Sequence, residues 1–310
     1  MKKRQYIEGF SMKKANENKS KELLKKKHLY AISFIMCICF FILLCCDNFY
    51  QRSVLPRFLY TLTKTQQDNW IIGTMNGGLL GEKDYRWKKH TTDYFLRNVK
   101  AAEKVVEVGT SNGYYTNLFA KLVGEKGKVF AYEINDKARE LTKLSLKMND
   151  LYGVVDLKPL AIADKNGFID IVRPADKNRS CWNFICGTSK KCHSPYNIEI
   201  PCVALDDELK NETNGIDWMK INAWGFEGLV IKGAKRVIEG SPNLKIVMRW
   251  STKRMIKHTD ISNLIDELHS YGFKFYRIPN TTNILGRELS KEELMTTEMT
   301  DLLLVRDKKN

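Results

Sequence analysis

The segment "EKVVEVGTSNGYYTNLF", residues 103–119, limits what this chain can fold into more than any other. An apolar run ends at Val108, glycines follow at Gly109 and Gly113, and an aromatic stretch with helical spacing begins. A strand entering a helix through a glycine turn is half of a β-α-β unit, because a parallel neighbour can be reached only by such a crossover. The rhythm continues. "GKVFAYE" reads as the next strand, "NDKARELTKLSLKMND" as a helix capped by Asn135 or Asp136, and "GVVDLKPLAIA" and "GFIDIVRP" as strands. After residues 175–197, which read as an inserted loop, come the strands "IEIPCVAL" and "IDWMKIN" and the helix "FEGLVIKGAKRVIEG". The strand "NLKIVMRW", the helix "DISNLIDELHSYG" and the strands "FKFYRI" and "TDLLLVR" complete the series, the last two suited to antiparallel pairing. Strands alternating with helices predict an α/β fold, a parallel sheet covered on both faces.

The N-terminal part is made of different material. Residues 1–28 hold ten Lys or Arg against three Glu with little apolar periodicity, which reads as a disordered basic tail. The rest of the +15 net charge is spread without a zinc-finger, basic-helix or RNA-binding pattern, so no nucleic-acid partner is expected. "LYAISFIMCICFFILLCC", residues 29–46, has no charge, proline or glycine and follows "KKKH" directly. As a helix it would rise about 27 Å, enough to cross a bilayer core. A cleaved signal peptide lacks its small-residue cleavage site here, and a core helix would show a polar face. A single uncleaved transmembrane signal-anchor in the lipid bilayer is therefore expected. By the positive-inside rule the N-terminus is cytosolic and the C-terminal domain lumenal or extracytoplasmic. Residues 47–90 read as a stem and residues 91–310 as the main domain. Cys181, Cys186, Cys192 and Cys202 cluster without a C-x-x-C. On the far side of a membrane they are expected to form two disulfides rather than a metal site.

The glycine turn implies a ligand, because open parallel sheets bind at the carboxyl ends of their strands, beside the first β-α turn. Gly109 lets the chain bend after the strand, and Gly113 is expected to keep side chains clear of the ligand. Glu133, at the end of the second strand, is placed to accept the hydroxyls of a ribose. Dinucleotides favour G-x-G-x-x-G, whereas this loop is G-x-x-x-G with an acid, Glu107, two residues before it. That carboxylate repels a pyrophosphate and suits the cationic amino-acid end of S-adenosylmethionine, which also carries a ribose.

"VVEVGTSNGYYT", "VFAYEIN", "AIADKNG", "VALDDEL", "IDWMKINAWGFEGLVIKGA", "YGFKFYRI" and "DLLLVR" occur in the order of the FkbM family of S-adenosylmethionine-dependent methyltransferases, which residues 91–306 resemble. The resemblance implies a Rossmann-like seven-stranded sheet with its last strand antiparallel, and O-methyl transfer. By position it assigns Glu107, Gly109 and Gly113 to the cofactor loop, Glu133 to the ribose, and Asp164 to the neighbourhood of the adenine. Family members usually carry an aspartate where this chain has Asn222, a glutamate where it has Trp224, and an acid where it has Arg249. The acceptor side thus lacks the carboxylates on which a metal-assisted or carboxylate-based mechanism would rest.

Displacement at a sulfonium methyl needs alignment first and a base only for a poorly acidic hydroxyl. Asn222 can orient an acceptor hydroxyl. Lys220 either lowers that hydroxyl's pKa or sits solvated at a strand end. Trp224 either stacks on substrate or fills the core, and its size favours the core. Asp206 and Asp207 read as a helix N-cap pair. The expected function is O-methylation of a hydroxyl on a glycan or small-molecule acceptor. The alternative is an inactive methyltransferase-fold binding module.

Overall fold

The computed structural model describes residues 60–64, 70–74, 89–172, 184–187, 197–212, 214–279 and 283–306. In chain order the elements that build the core are α1 (Lys89–Asn98), β3 (Lys104–Val108), α2 (Tyr114–Val123), β4 (Lys128–Tyr132), α3 (Asp136–Met148) and β5 (Val155–Lys158). An antiparallel hairpin, β1 (Tyr60–Lys64) and β2 (Trp70–Thr74), precedes them. Next come β6 (Ala161–Ala163), β7 (Gly167–Val172), β8 (Phe184–Gly187), β9 (Asn197–Ala204) and α4 (Leu205–Glu208). The C-terminal half holds β10 (Trp218–Ile221), α5 (Glu227–Lys232), α6 (Lys235–Glu239), β11 (Lys245–Trp250), α7 (Thr252–Met255), α8 (Ile261–Ser270), β12 (Phe273–Arg277), α9 (Lys291–Thr296) and β13 (Thr300–Arg306).

Seven strands form the main sheet in the order β12-β13-β11-β10-β3-β4-β5. All neighbours from β11 to β5 are parallel, and β13 runs antiparallel between β12 and β11. The expected sheet with its antiparallel last strand is present. Successive residues of a strand face opposite sides, and the two apolar clusters follow that alternation. Val106, Phe130, Met219, Ile246 and Leu304 face one cluster; Val105, Val129, Trp218, Val247 and Leu303 face the other. Helices α1 and α2 cover the second face with Tyr94, Phe95, Tyr115 and Phe119, whose rings meet edge-on and stacked.

Three expectations change. "GVVDLKPLAIA" is not one strand: β5 stops at Lys158, and Pro159, which has no N–H for the ladder, precedes the departure of β6 into another sheet. That second sheet, ordered β6-β9-β7-β8, buries Ala161, Ile169, Ile171 and Ile200, and β8 lies within the segment read as an inserted loop. The hairpin β1–β2 lies in the segment read as a stem, with β2 against α3.

The two-disulfide expectation also fails. Cys202 is free and buried in β9, its Sγ 3.6 Å from the Lys165 carbonyl oxygen, so four cysteines do not pair two by two. Cys181 and Cys192 lie outside the described residues. The single-pass membrane localisation does not stand either: among the described residues no helix is long and apolar enough to cross a membrane. The segment 29–46 from which it was read lies outside them, as does the tail 1–28.

Candidate functional site

At the carboxyl ends of the adjacent parallel strands β3, β4 and β10 three loops lie together. The first is the glycine turn. Gly109 has φ +81°, and a Cβ there would lie 2.2 Å from the Asn222 carbonyl oxygen, so only glycine fits both the turn and the neighbouring backbone. Its N–H donates to the Tyr132 carbonyl, and the Asn222 N–H donates to the Val108 carbonyl, each at 2.9 Å, which ties the three strand ends together. Gly113, also at φ +81°, precedes α2, whose start has no side-chain cap. A Cβ on it would lie 2.5 Å from Thr142 of α3. Its absent side chain therefore serves the approach of α2 to α3, where the spacing pointed to ligand clearance. Between them the Asn112 amide is buried and its Nδ2 has no partner.

Glu133 closes β4 and faces this turn. Its carboxylate accepts the Ser111 N–H at 2.7 Å and the Asn135 N–H at 2.9 Å, one on each oxygen. Burial pushes its pKa up to about 7, against the opposing pull of those two N–H groups and Arg139. Each oxygen retains a lone pair for a further donor. Asp164 is exposed just beyond β6, and Ile134, next to Glu133, packs against the cluster that contains Ala163.

Glu107 is not a free carboxylate awaiting a cation. It is fully buried, accepts the Thr116 hydroxyl at 2.7 Å, and pairs with Lys220 at 3.1 Å. The two residues are direct partners in the parallel ladder of β3 and β10. Lys220 is buried too, with its ammonium 4.6 Å from the Tyr115 ring centre, so the solvated reading of this lysine does not hold. The same sheet face carries a second charged pair, Arg249 of β11 with Asp301 of β13 at 2.7 Å, and Asp301 also accepts the Thr91 hydroxyl at 3.0 Å.

The third loop follows β10. Asn222 is half-buried. Trp224 is 38 % exposed and adopts φ +53°, so it does not fill the core as its size suggested. A left-handed conformation costs a bulky residue about 1–2 kcal/mol. Glu227, the first residue of α5, holds it: its buried carboxylate accepts the Ala223 N–H at 2.9 Å and the Gly225 N–H at 2.8 Å, on either side of the tryptophan. Burial raises the Glu227 pKa to about 7, opposed by the N–H groups it accepts and by Arg254. The Arg254 guanidinium lies 4.2 Å from the indole centre. Sequence reasoning passed over Glu227, although an acid in the first turn of a helix after a glycine-bearing loop is a recognisable signal for a carboxylate that reaches back to free N–H groups. Asp206 caps a helix as expected, but a different one: it accepts the Arg236 and Val237 N–H groups at the start of α6, while Asp207 accepts the Asn166 amide.

A turn of bare backbone, a strand-end carboxylate with free lone pairs and a buried amide without a partner fit a ligand that carries a ribose and polar substituents. Residues 107–275, more than half of the chain, match the model of the methyltransferase FkbM domain. Comparison with curated proteins gives no match. Among solved structures, the FkbM methyltransferase from Methylobacillus flagellatus KT is 14% identical with a TM-score of 0.41, covering 66% of this chain and 43% of its own. An O-methyltransferase from Bacillus cereus in complex with SAH is 11% identical (TM-score 0.42; 74% of this chain, 83% of that one). A SAM-dependent O-methyltransferase from Thermotoga maritima is 13% identical (TM-score 0.39; 81% and 78%). These structural likenesses are distant, and the assignment rests on the sequence match across the strands and turns just described: the chain belongs to the FkbM family of S-adenosylmethionine-dependent methyltransferases.

Proposed function

We propose that this protein is a working methyltransferase that O-methylates a hydroxyl of a glycan or small-molecule acceptor. The observation that carries the reading is Glu133: a buried carboxylate, fixed by two backbone N–H groups against the glycine turn, with a lone pair left on each oxygen. In this reading Glu133 receives the ribose hydroxyls, the Gly109–Gly113 turn lies along the cofactor, and Asp164 lies towards the adenine. S-adenosylmethionine, when bound, supplies a methyl group already activated by its sulfonium. The protein's task is to align the acceptor and exclude water. Asn222, beside the glycine turn, accepts a hydrogen bond from the acceptor hydroxyl and orients it. As an amide it takes up no proton, and the proton passes to solvent after transfer. Lys220 acts at one remove, fixing Glu107 and through it Thr116 at the start of α2.

Calorimetric titration of the full chain with S-adenosylmethionine and its demethylated product tests the reading; no heat with either overturns it. Asn222 and Trp224 in place of acids favour a second reading, a binding module without turnover. Cofactor binding without transfer of a labelled methyl to any hydroxyl acceptor would establish that second reading.

A further inference from the structure

The loop after β10 and helix α7 after β11 stand side by side at the carboxyl edge of the sheet, on the far side of Asn222 from the glycine turn. They are in backbone contact, since a Cβ on Gly225 would lie 3.0 Å from the Arg254 carbonyl oxygen. Trp224 is therefore not a loose surface residue. It is held out of the core in a left-handed conformation by the Glu227 carboxylate on both flanks, and one guanidinium stands over its ring. A non-glycine residue fixed in such a conformation at the carboxyl edge of the sheet points from strain to function. The segment that carries Arg254 is rich in cations. Lys253 and Lys257 are exposed and form no ion pair among the described residues, and half-buried Arg254, next in sequence to Lys253, reaches the indole. Arg254 does act on Glu227, but both oxygens of that carboxylate are already engaged by backbone N–H groups.

A flat indole against a guanidinium, with two exposed ammonium groups on the same short segment as that arginine, complements a ring with an apolar C–H face and an anionic substituent at its edge. We infer that Trp224, Arg254, Lys253 and Lys257 form the acceptor-recognition surface for an acidic saccharide, a pyranose bearing a carboxylate, sulfate or phosphate. This inference rests on the reading of the protein as a methyltransferase and names the acceptor class of that site. Single-stranded nucleic acid also stacks on aromatics amid cations, but along successive rings spaced for consecutive bases. Here, among the described residues, one exposed ring stands against the guanidinium.

The experiment uses the full chain in low salt with four ligands: a hyaluronan tetrasaccharide, a heparin tetrasaccharide, neutral chitotetraose and a single-stranded RNA octamer. At least one acidic tetrasaccharide is expected to bind at least ~10-fold more tightly than chitotetraose, through charge-assisted contacts to Arg254. Arg254→Gln should reduce that preference several-fold, and the exposed pair Lys253→Gln and Lys257→Gln should reduce it without touching the indole. Trp224→Ala should weaken acidic and neutral saccharides alike. Equal affinity for charged and neutral saccharides, tighter binding of the RNA, or a preference indifferent to all three cation substitutions would overturn the inference. Titration with S-adenosylmethionine on the same samples separates the outcomes: lost cofactor binding in the unsubstituted protein refutes the methyltransferase reading, whereas retained binding without acidic preference refutes this inference alone.

Discussion

Replacing Lys220 by Met tests whether the glycine turn rests on a buried ion pair. Glu107 would then be left fully buried with the Thr116 hydroxyl as its hydrogen-bond donor. Breaking one side of a buried pair costs about 3–5 kcal/mol, because the remaining charge has lost its compensation. Lys220→Met should thus lose about 3–5 kcal/mol in a urea titration at pH 7. Glu107→Leu combined with Lys220→Met should recover most of the loss, since apolar replacement of a buried pair is often neutral. A loss under about 1 kcal/mol for the single variant, or a double variant as unstable as the single one, would refute the argument. Calorimetry with S-adenosylmethionine on the same proteins reports separately whether Glu107 also touches the cofactor.

Three further outcomes are expected. Glu133→Ala should weaken S-adenosylmethionine at least ~10-fold, since each hydrogen bond to a charged acceptor is worth about 1.5–3 kcal/mol; calorimetry reads it, and unchanged affinity removes Glu133 from the ribose. Glu133 and Glu227 both have pKa values raised to about 7 in the folded protein, so the fold holds protons that the unfolded chain has released; stability should fall as pH rises from about 4.5 to 7, and Glu227→Gln should flatten that slope in denaturation curves. Gly109→Ala adds a backbone clash to the strain of positive φ and should cost about 2–5 kcal/mol, whereas Gly124→Ala, with φ +64° and open space, should cost only about 1 kcal/mol; equal losses would show that the Asn222 carbonyl does not crowd Gly109.

Much of this was legible locally. The strand–glycine–helix unit, the Asn135 cap and the final antiparallel strand follow from periodicity and turn residues within windows shorter than twenty positions. The pairing of Glu107 with Lys220 was not, because it depends on β3 and β10 lying side by side in register, and no local pattern carries that information. The same holds for Gly113, whose constraint comes from Thr142 on another helix. The second sheet was missed for a different reason. β5 and β6 are short and separated by Pro159 and one more residue, so their apolar runs merge in a one-dimensional reading. Trp224 went to the core on size, because nothing in "NAWGFEG" announces that Glu227 turns back to hold the loop open.

The three departures from the family's acids have different physical causes. Arg249 sits directly opposite Asp301 in the β11–β13 ladder, so an acid at 249 would place like charges face to face in a half-buried layer. Its cation is accounted for inside the protein, and with Lys220 and Glu107 it leaves that layer balanced, two charges of each sign. Asn222 adjoins Gly109 through its backbone, and its neutral side chain adds no charge beside the Lys220–Glu107 pair two residues back along the strand. Trp224 differs from both, because its ring lies against the Arg254 guanidinium rather than in the core. Its ring is exposed, its backbone is strained, and the buried carboxylate that restrains it would be unnecessary if the loop merely closed the strand. Packing therefore explains the arginine and partly explains the asparagine, whereas the tryptophan stands exposed at the carboxyl edge of the sheet, which is why Trp224 rather than Arg249 is the residue whose substitution should change acceptor preference.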